Sequence, residues 1–160
     1  MPEPQPFAIL APVPLVHLAA SAAVLATEAS VAFGTSSYRV FNKVDELRDG
    51  NPVRVLIYAS HEGVAAQPTF MVKWRGWYVG QVWNDDGRHP EQKFRPSTAL
   101  TDSPTWMTFW HVSELEEMDK KHWFPISKVP KFKGGWAKLK PPLGPVLVGL
   151  PSAFEQVANE

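Results

Sequence analysis

The segment Val53–Ala59, with the sequence VRVLIYA, decides the fold class of this 160-residue chain. It consists mostly of β-branched and aromatic residues, which suit a buried, pleated surface. The run Asp49-Gly50-Asn51-Pro52 directly before it is typical of a turn. The segment therefore predicts a central strand, around which the other elements can be arranged.

The residues before this strand predict alternating strands and helices. Phe7–Val13 is a short apolar run that predicts a core strand, and Ser30–Phe33 predicts a second strand. Apolar residues at helical spacing indicate a helix over 14–27, which Pro14 can begin, and another over 36–48. The expected order up to the central strand is β-α-β-α-β.

The residues after the central strand predict a half that is rich in antiparallel strands. Phe70–Trp74 and Trp77–Trp83 flank Arg75-Gly76, and this pattern predicts a tight hairpin. Trp106–Val112 predicts a further strand. The run Ser113–Met118 after it predicts a short helix or turn, because Ser113 and Glu116 have the spacing of a capping box.

The C-terminal part adds shorter elements to this half. Short strands are expected at Trp123–Ile126 and Pro145–Gly149, with a long basic loop over Lys128–Pro142 between them. The expected fold class is α+β, a small mixed, mostly antiparallel, strand-rich pseudo-barrel with two helices in its N-terminal half. The length predicts one domain, residues 1–152, followed by a C-terminal tail, residues 153–160.

The composition narrows the classes of function. Hydrophobic residues make up 44% and charged residues 20%, which excludes wholesale disorder, a collagen and a coiled coil. The 16 basic and 16 acidic residues cancel, so no overall field draws the chain to nucleic acid. Without cysteine, the chain has no disulfide, no thiol nucleophile and no Cys-ligated zinc.

The N-terminal residues predict a cytoplasmic protein. No basic residue precedes Arg39, whereas a secretory signal needs a positive segment before its apolar run. The apolar stretch Phe7–Ala26 is interrupted by Pro12, Pro14 and His17, so it predicts a strand and a helix instead of a membrane span.

Signatures of metal or cofactor chemistry are missing from the sequence. The five histidines show no HxH or HxxxH pair, and no P-loop, GxSxG or GxGxxG motif follows a strand. His17, on an apolar helix, is expected to be packed in the core. We therefore expect no metal, no cofactor and no catalytic residues.

Candidate ligand-binding residues lie at the end of the central strand and in the aromatic, basic region 73–110. Polar residues that follow a buried strand often line a pocket, flat rings stack on bases, and polar irregular segments concentrate function. Arg95, held between Phe94 and Pro96, is suited to act as a fixed guanidinium donor. The candidates are Ser60, His61, Trp77, Tyr78, His89, Arg95, Trp106 and Trp110.

Two further segments are candidates for binding phosphate. Ser36 and Ser37 lie between a strand and a helix, where free amides favour an anion. The run 120–140 contains seven lysines and no acidic residue, and such a patch can bind a phosphate backbone. Its candidates are Lys128, Lys131 and Lys133.

A purely structural role remains open for each of these groups. Most of the tryptophans can form the core, Ser60 and His61 can simply begin a loop, and Arg95 can pair with an acidic residue. The serines can cap a helix, and the lysines can belong to a solvated loop.

At the level of pattern, residues 7–150 resemble the PUA-like superfamily, including its EVE and ASCH domains. VRVLIYAS at Val53–Ser60 is similar to an EVE strand that ends in an aromatic residue, any residue and Ser. YVGQV at Tyr78–Val82 resembles the return strand of that family, and PVLVGLP at Pro145–Pro151 fits a last barrel strand. The resemblance implies a small pseudo-barrel that binds RNA or modified bases.

The sequence thus predicts a module that binds nucleic acid, RNA or DNA, including modified bases, without catalysis. Trp77, Tyr78 and Trp106 or Trp110 would stack on bases, Ser60 and His61 would bond the base edge, and Arg95 and the lysines would hold phosphate. Two alternatives stay open. One is a small hydrolase or nuclease that uses His89 or His61 with Arg95, and the other is a protein-interaction module that uses the aromatic surface.

Overall fold

The computed structural model describes residues 5–60, 71–100, 106–132, 144–151 and 154. Within these ranges the chain forms eight strands and two α-helices. In chain order they are β1 (Phe7–Pro14), α1 (Leu15–Leu25), β2 (Ser30–Thr35), α2 (Tyr38–Arg48), β3 (Val53–Ser60), β4 (Met71–Val72), β5 (Trp74–Trp83), β6 (Thr108–Glu117), β7 (Phe124–Pro125) and β8 (Val146–Gly149). The predicted β-α-β-α-β order of the first half is confirmed.

Six of the strands form one mixed sheet in the order β2-β6-β5-β3-β1-β8. Only the central β1 and β3 run parallel, and the other neighbours are antiparallel. The α+β, mostly antiparallel fold class with two N-terminal helices is therefore confirmed. The sheet does not close into a barrel, because β2 and β8 remain at its edges. Strands β4 and β7 form a separate two-stranded sheet.

Both faces of the large sheet are covered, since alternate residues of β1 and β3 belong to different cores. On the inner face, Ile9 and Ile57 pack with residues of α1 and α2 such as Leu18 and Phe41. On the outer face, Leu10 and Leu56 belong to a second core with Met118, Ile126, Val129 and Phe154. Burial on both faces explains why β3 is a continuous apolar run.

The predicted hairpin at Arg75-Gly76 is wrong, because β5 continues through both residues. Gly76 is buried against β6, and a Cβ at this position would overlap the Val112 side chain. The pairing with β6 changes register between Arg75 and Trp77, which is the mark of a β-bulge. The glycine allows a close approach of two backbones and does not make a turn.

The predicted helix or turn over Ser113–Met118 is also wrong. Strand β6 continues to Glu117, where it pairs with Trp74. The capping box does not form, and Glu114 takes a left-handed conformation with φ 52° next to the bulge. Pairing with β5 outweighs the local preference, as is common for strands.

Both helices are 11 residues long. No helix in the described part of the chain has the length and apolar character needed to span a membrane.

Candidate binding cleft

A cleft of about 120 Å³ lies where the end of β1 approaches β2. Three strands separate β1 from β2 in the sheet order, so the sheet curls to bring them to one site. The volume is about eight to twelve times what one water molecule needs, which suits a single ring-sized group. The walls are Pro12, Val13, Pro14, His17, Phe33, Gly34, Arg95, Trp106, Trp110 and Pro145.

The Trp106 indole lies directly against the backbone of β2 at Gly34. A Cβ at Gly34 would overlap the Cγ and Cδ1 atoms of this indole. The missing side chain of Gly34 therefore lets the ring pack onto the strand and form a wall of the cleft. Trp106 stays partly exposed, so part of its ring remains open to a ligand.

Arg95 contributes a buried positive charge to the cleft, with 7% of its surface exposed. Its Nη1 donates to the carbonyl oxygen of Ala32 at 2.9 Å, and its guanidinium lies 5.1 Å from the centre of the Phe109 ring. Contacts with β2 and β6 thus hold the guanidinium in place, as the flanking Phe94 and Pro96 predict.

His17, at the first turn of α1, is the imidazole of the cleft. Its Nδ1 lies 2.6 Å from the Thr98 hydroxyl, which itself donates to the Val16 carbonyl at 3.4 Å. This bond ties α1 to the 3₁₀ turn Ser97–Ala99.

A buried chain of hydrogen bonds holds the segment around Arg95 to β6. The Glu91 amide donates to His89 Nδ1 at 2.8 Å, so the His89 proton lies on Nε2. That nitrogen donates to His111 Nε2 at 2.9 Å, and His111 Nδ1 then donates to the Ser30 hydroxyl at 2.8 Å. Both imidazoles are consequently neutral in this arrangement.

Burial has the largest effect on the pKa values of both histidines. Together with smaller contributions from the neighbouring His111 and Arg95, it lowers the pKa of His89 to about 4. Burial also lowers the pKa of His111, against a smaller opposing effect of Glu91. His89 is not a wall of the cleft, although it shares this segment with Arg95.

Two of the predicted stacking residues lie in the inner core. Tyr78 is fully buried, and its ring packs on Phe41 at 5.2 Å. Trp110 is 1% exposed and stacks on Phe41 at 5.3 Å, so only its edge reaches the cleft. Neither ring offers an open face to a base, as expected if these aromatics build the core.

The Tyr78 hydroxyl donates to Asp45 at 2.9 Å. Burial raises the pKa of Tyr78, and Asp45 raises it further, so the phenol stays protonated. We expect Tyr78→Phe to lower the free energy of unfolding by about 1–2 kcal/mol, because the variant leaves a partly buried carboxylate with one donor fewer. Urea denaturation measures this loss. Ligand affinity should not change, and a selective loss of affinity at unchanged stability would contradict the core assignment.

The other candidates lie outside the walls of the cleft. Trp77 is on the outer face of β5, against Arg54. Ser60 ends β3 beside Pro14, which does line the cleft. Lys128 and Lys131 are exposed in the segment after β7. His61 and Lys133 lie outside the described residues.

The predicted phosphate site at the start of α2 is near the cleft. Ser36 is exposed, and Ser37 precedes the helix without capping it through its side chain. A Cβ on Gly144 would come within 3.1 Å of the Ser37 hydroxyl, and the next residue, Pro145, is a wall of the cleft. The structure therefore brings together Arg95, Trp106 and the edge of Trp110, with Ser37 close by.

Three residues of this region are not among the candidates that the sequence predicts. They are His17, which the sequence predicts to be packed in the core, Gly34 and His111. The position of His111 in the sequence does give a signal. Because side chains alternate along a strand and Trp110 and Val112 face the inner core, Phe109 and His111 are expected together on the outer face of β6.

Among the described residues, no group of three or more acidic or histidine side chains is placed to hold a metal ion.

Comparisons with known proteins add no family assignment to this geometry. The chain matches no protein-family model, no curated protein and no solved structure.

Proposed function

We propose that the protein binds nucleic acid by accepting one base into the cleft between Trp106, Arg95 and His17. One observation carries this proposal: an indole, a guanidinium and an imidazole line a cleft of about 120 Å³. Recognition of a base outside its stack uses this mixture of a flat ring and polar groups. The size favours a single base over a run of stacked bases.

Each of the three side chains has a distinct role in this proposal. Trp106 supplies a ring on which the base stacks, and such stacking stabilises a bound base by about 1–3 kcal/mol. Arg95 supplies a fixed cation for a carbonyl oxygen of the base or for the adjoining phosphate. His17 lines the same cleft and places an imidazole, a group that can donate or accept a hydrogen bond, beside the base edge.

The partner in this proposal is a strand with an unstacked base, RNA or DNA, because extruding a base from single-stranded nucleic acid costs least. We also propose that the protein acts in the cytoplasm, as expected from the sequence. Lys128 and Lys131 remain candidates for contacts with the backbone outside the cleft, since both are exposed.

No catalytic step is assigned to His89. Both nitrogens of its ring make hydrogen bonds, to the Glu91 amide and to His111, and the ring is 4% exposed. A general base must reach the proton that it removes. These contacts favour binding over the hydrolase or nuclease alternative that uses His89 with Arg95.

A protein-interaction role is the second candidate, and it rests on two exposed apolar side chains. Trp83 is 63% exposed and Met107 is 50% exposed. Both lie near one end of the β5–β6 pair, where the Asn84 amide donates to the Met107 carbonyl at 2.9 Å. An exposed tryptophan is typical of a protein-binding hot spot.

Trp106→Ala and Trp83→Ala form a matched pair that separates the two functions. We expect Trp106→Ala to weaken binding of a short, dye-labelled single strand by about 10-fold or more, because it removes the stacking ring. Trp83→Ala should leave that affinity within about twofold, since Trp83 does not line the cleft. Fluorescence anisotropy at two salt concentrations measures both values.

A strand of abasic nucleotides with one remaining base provides the second control. Capture of a single base predicts that this strand binds nearly as well as the complete strand, and that a fully abasic strand binds much more weakly. Equal affinity for the two abasic strands would contradict the proposal. If no nucleic-acid strand binds and the wild-type protein self-associates through Trp83, the protein-interaction role replaces nucleic-acid binding as the proposed function.

A further inference from the structure

Arg54, near the start of β3, is buried on the outer face of the sheet and is 8% exposed. Its guanidinium carbon lies 3.9 Å from the centre of the Trp77 ring and 5.3 Å from that of Phe154. Such contacts between a guanidinium and aromatic faces are favourable, and they fix the plane of the group. The side chain is therefore held in place before any partner arrives.

The hydrogen-bond donors of Arg54 lack an acceptor within the described part of the chain. A guanidinium has five N–H donors, and leaving them unsatisfied in a buried place is costly. No described polar side-chain atom is both sealed from solvent and without a partner. The nitrogen atoms of Arg54 that make no hydrogen bond are therefore not sealed from solvent.

Three charged side chains act on Arg54 without a direct ion pair. Glu114 and Glu116 favour its charged form and Arg75 opposes it, and Glu116 is itself paired with Arg75 at 2.8 Å. Burial, with a smaller contribution from the charge of Arg75, lowers the pKa of Arg54 to about 10 in spite of the two glutamates. The charged form of Arg54 is therefore less stable here than in water, and a bound anion would stabilise it.

We propose that Arg54 is the centre of a second binding site, which takes the oxyanion of a small carboxylate or phosphate compound. Two oxygens of such a group match the fork of the guanidinium, which gives two parallel hydrogen bonds. Trp77, predicted from the sequence to bind a ligand, then acts by holding Arg54. This site uses none of the residues of the cleft and does not depend on the proposed function.

Thermal unfolding with inorganic phosphate, with acetate and with chloride at equal ionic strength tests this site. At ten times its dissociation constant, a bound oxyanion should raise the melting temperature by about 3–6 °C relative to chloride. A rise with both phosphate and acetate assigns a general oxyanion site, and a rise with one of them assigns the class of compound. No rise with either would overturn the proposal.

Arg54→Met is the variant that decides this test, and Arg75→Met is its control. We expect the rise to disappear in Arg54→Met and to persist in Arg75→Met, because Arg75 is already paired with Glu116. An equal rise in wild type and Arg54→Met would assign the effect to general exclusion of salt from the surface, and would overturn the proposal.

A measurement on the wild-type chain covers the case in which Arg54→Met does not fold. In ¹⁵N-labelled protein, the Nε–H signal of Arg54 should move with saturation as phosphate or acetate is added, with the other arginine signals nearly unchanged. Movement of other arginine signals alone would overturn the proposal.

Discussion

Gly34→Ala is expected to destabilise the protein by about 1–3 kcal/mol and to lower its affinity for a single strand at least 10-fold. The reason for both effects is the overlap of a Cβ at this position with the Trp106 indole. The ring must move away from β2, which disturbs the packing and displaces a wall of the cleft. Urea denaturation and fluorescence anisotropy measure the two losses.

A double-mutant cycle isolates this cause. In a Trp106→Ala background the indole is absent, and the nearest remaining atom of residue 106 is its Cβ at 3.0 Å. The further change Gly34→Ala should then cost much less, because only this Cβ must give way by a few tenths of an ångström and alanine is otherwise favoured over glycine in a strand. We expect a coupling energy of about 1–3 kcal/mol. Additive effects would show that Gly34 and Trp106 do not act together.

The first half of the fold could be predicted because its signals are local. Continuous apolar runs mark β1 and β3, helical spacing marks α1 and α2, and a turn precedes β3. These signals are properties of neighbouring residues, so they survive without knowledge of the partners of each element.

The two errors in the second half have one physical cause. Arg75-Gly76 and Ser113–Met118 face each other across the β5–β6 pair, where the bulge lies. A glycine beside an arginine resembles a turn, and a serine three residues before a glutamate resembles a helix cap. The backbone hydrogen bonds of a long antiparallel pair outweigh both local preferences, and the sequence does not reveal which segments pair.

The cleft could be predicted only in part, because the curling of the sheet creates it. Arg95 and Trp106 were selected from their chemistry, and they do meet in the cleft. The same chemistry also selected Tyr78 and Trp110, whose rings are buried. An aromatic side chain suits a core as well as a binding surface, so residue type alone cannot separate them. The position of His17 depends on α1 reaching the turn at Thr98, which no local pattern shows.

The His89–His111 pair predicts a loss of stability in mild acid. Every nitrogen of the two rings makes a hydrogen bond in the series that runs from the Glu91 amide to the Ser30 hydroxyl. An added proton must therefore break one of these bonds. Protonation of both rings would also place two positive charges 2.9 Å apart, beside Arg95. The folded state therefore resists protonation of this pair.

The direction of the pH effect follows from the pKa of His89, which is about 4 in the folded protein against 6.5 without the fold. Between these values the unfolded chain binds more protons, so stability decreases as the pH falls. The stabilisation is complete above pH 6.5 and is lost as the pH falls toward 4. For His89 we expect a loss on the order of 3 kcal/mol across this window.

His89→Gln should flatten this pH dependence, because glutamine does not titrate and can still donate to His111. The variant should be less stable than wild type at pH 7 by about 1–2 kcal/mol, since its bonds fit less well. The difference should shrink as the pH falls toward 5, where wild type loses its advantage. His122→Gln is the matched control, because His122 is exposed and lies outside this chain of hydrogen bonds, and it should follow the wild-type curve.

Urea denaturation at half-unit steps between pH 4.5 and 7.5 measures these curves. A wild-type curve that stays flat over this window would show that the pair accepts a proton without cost, and the assigned hydrogen bonds would then be wrong. Parallel curves for wild type and His89→Gln would place the titrating groups elsewhere. Arg95 lies in the segment that this pair holds to β6. As the pH falls, the affinity for single-stranded nucleic acid should therefore decrease together with stability in wild type, and less steeply in His89→Gln.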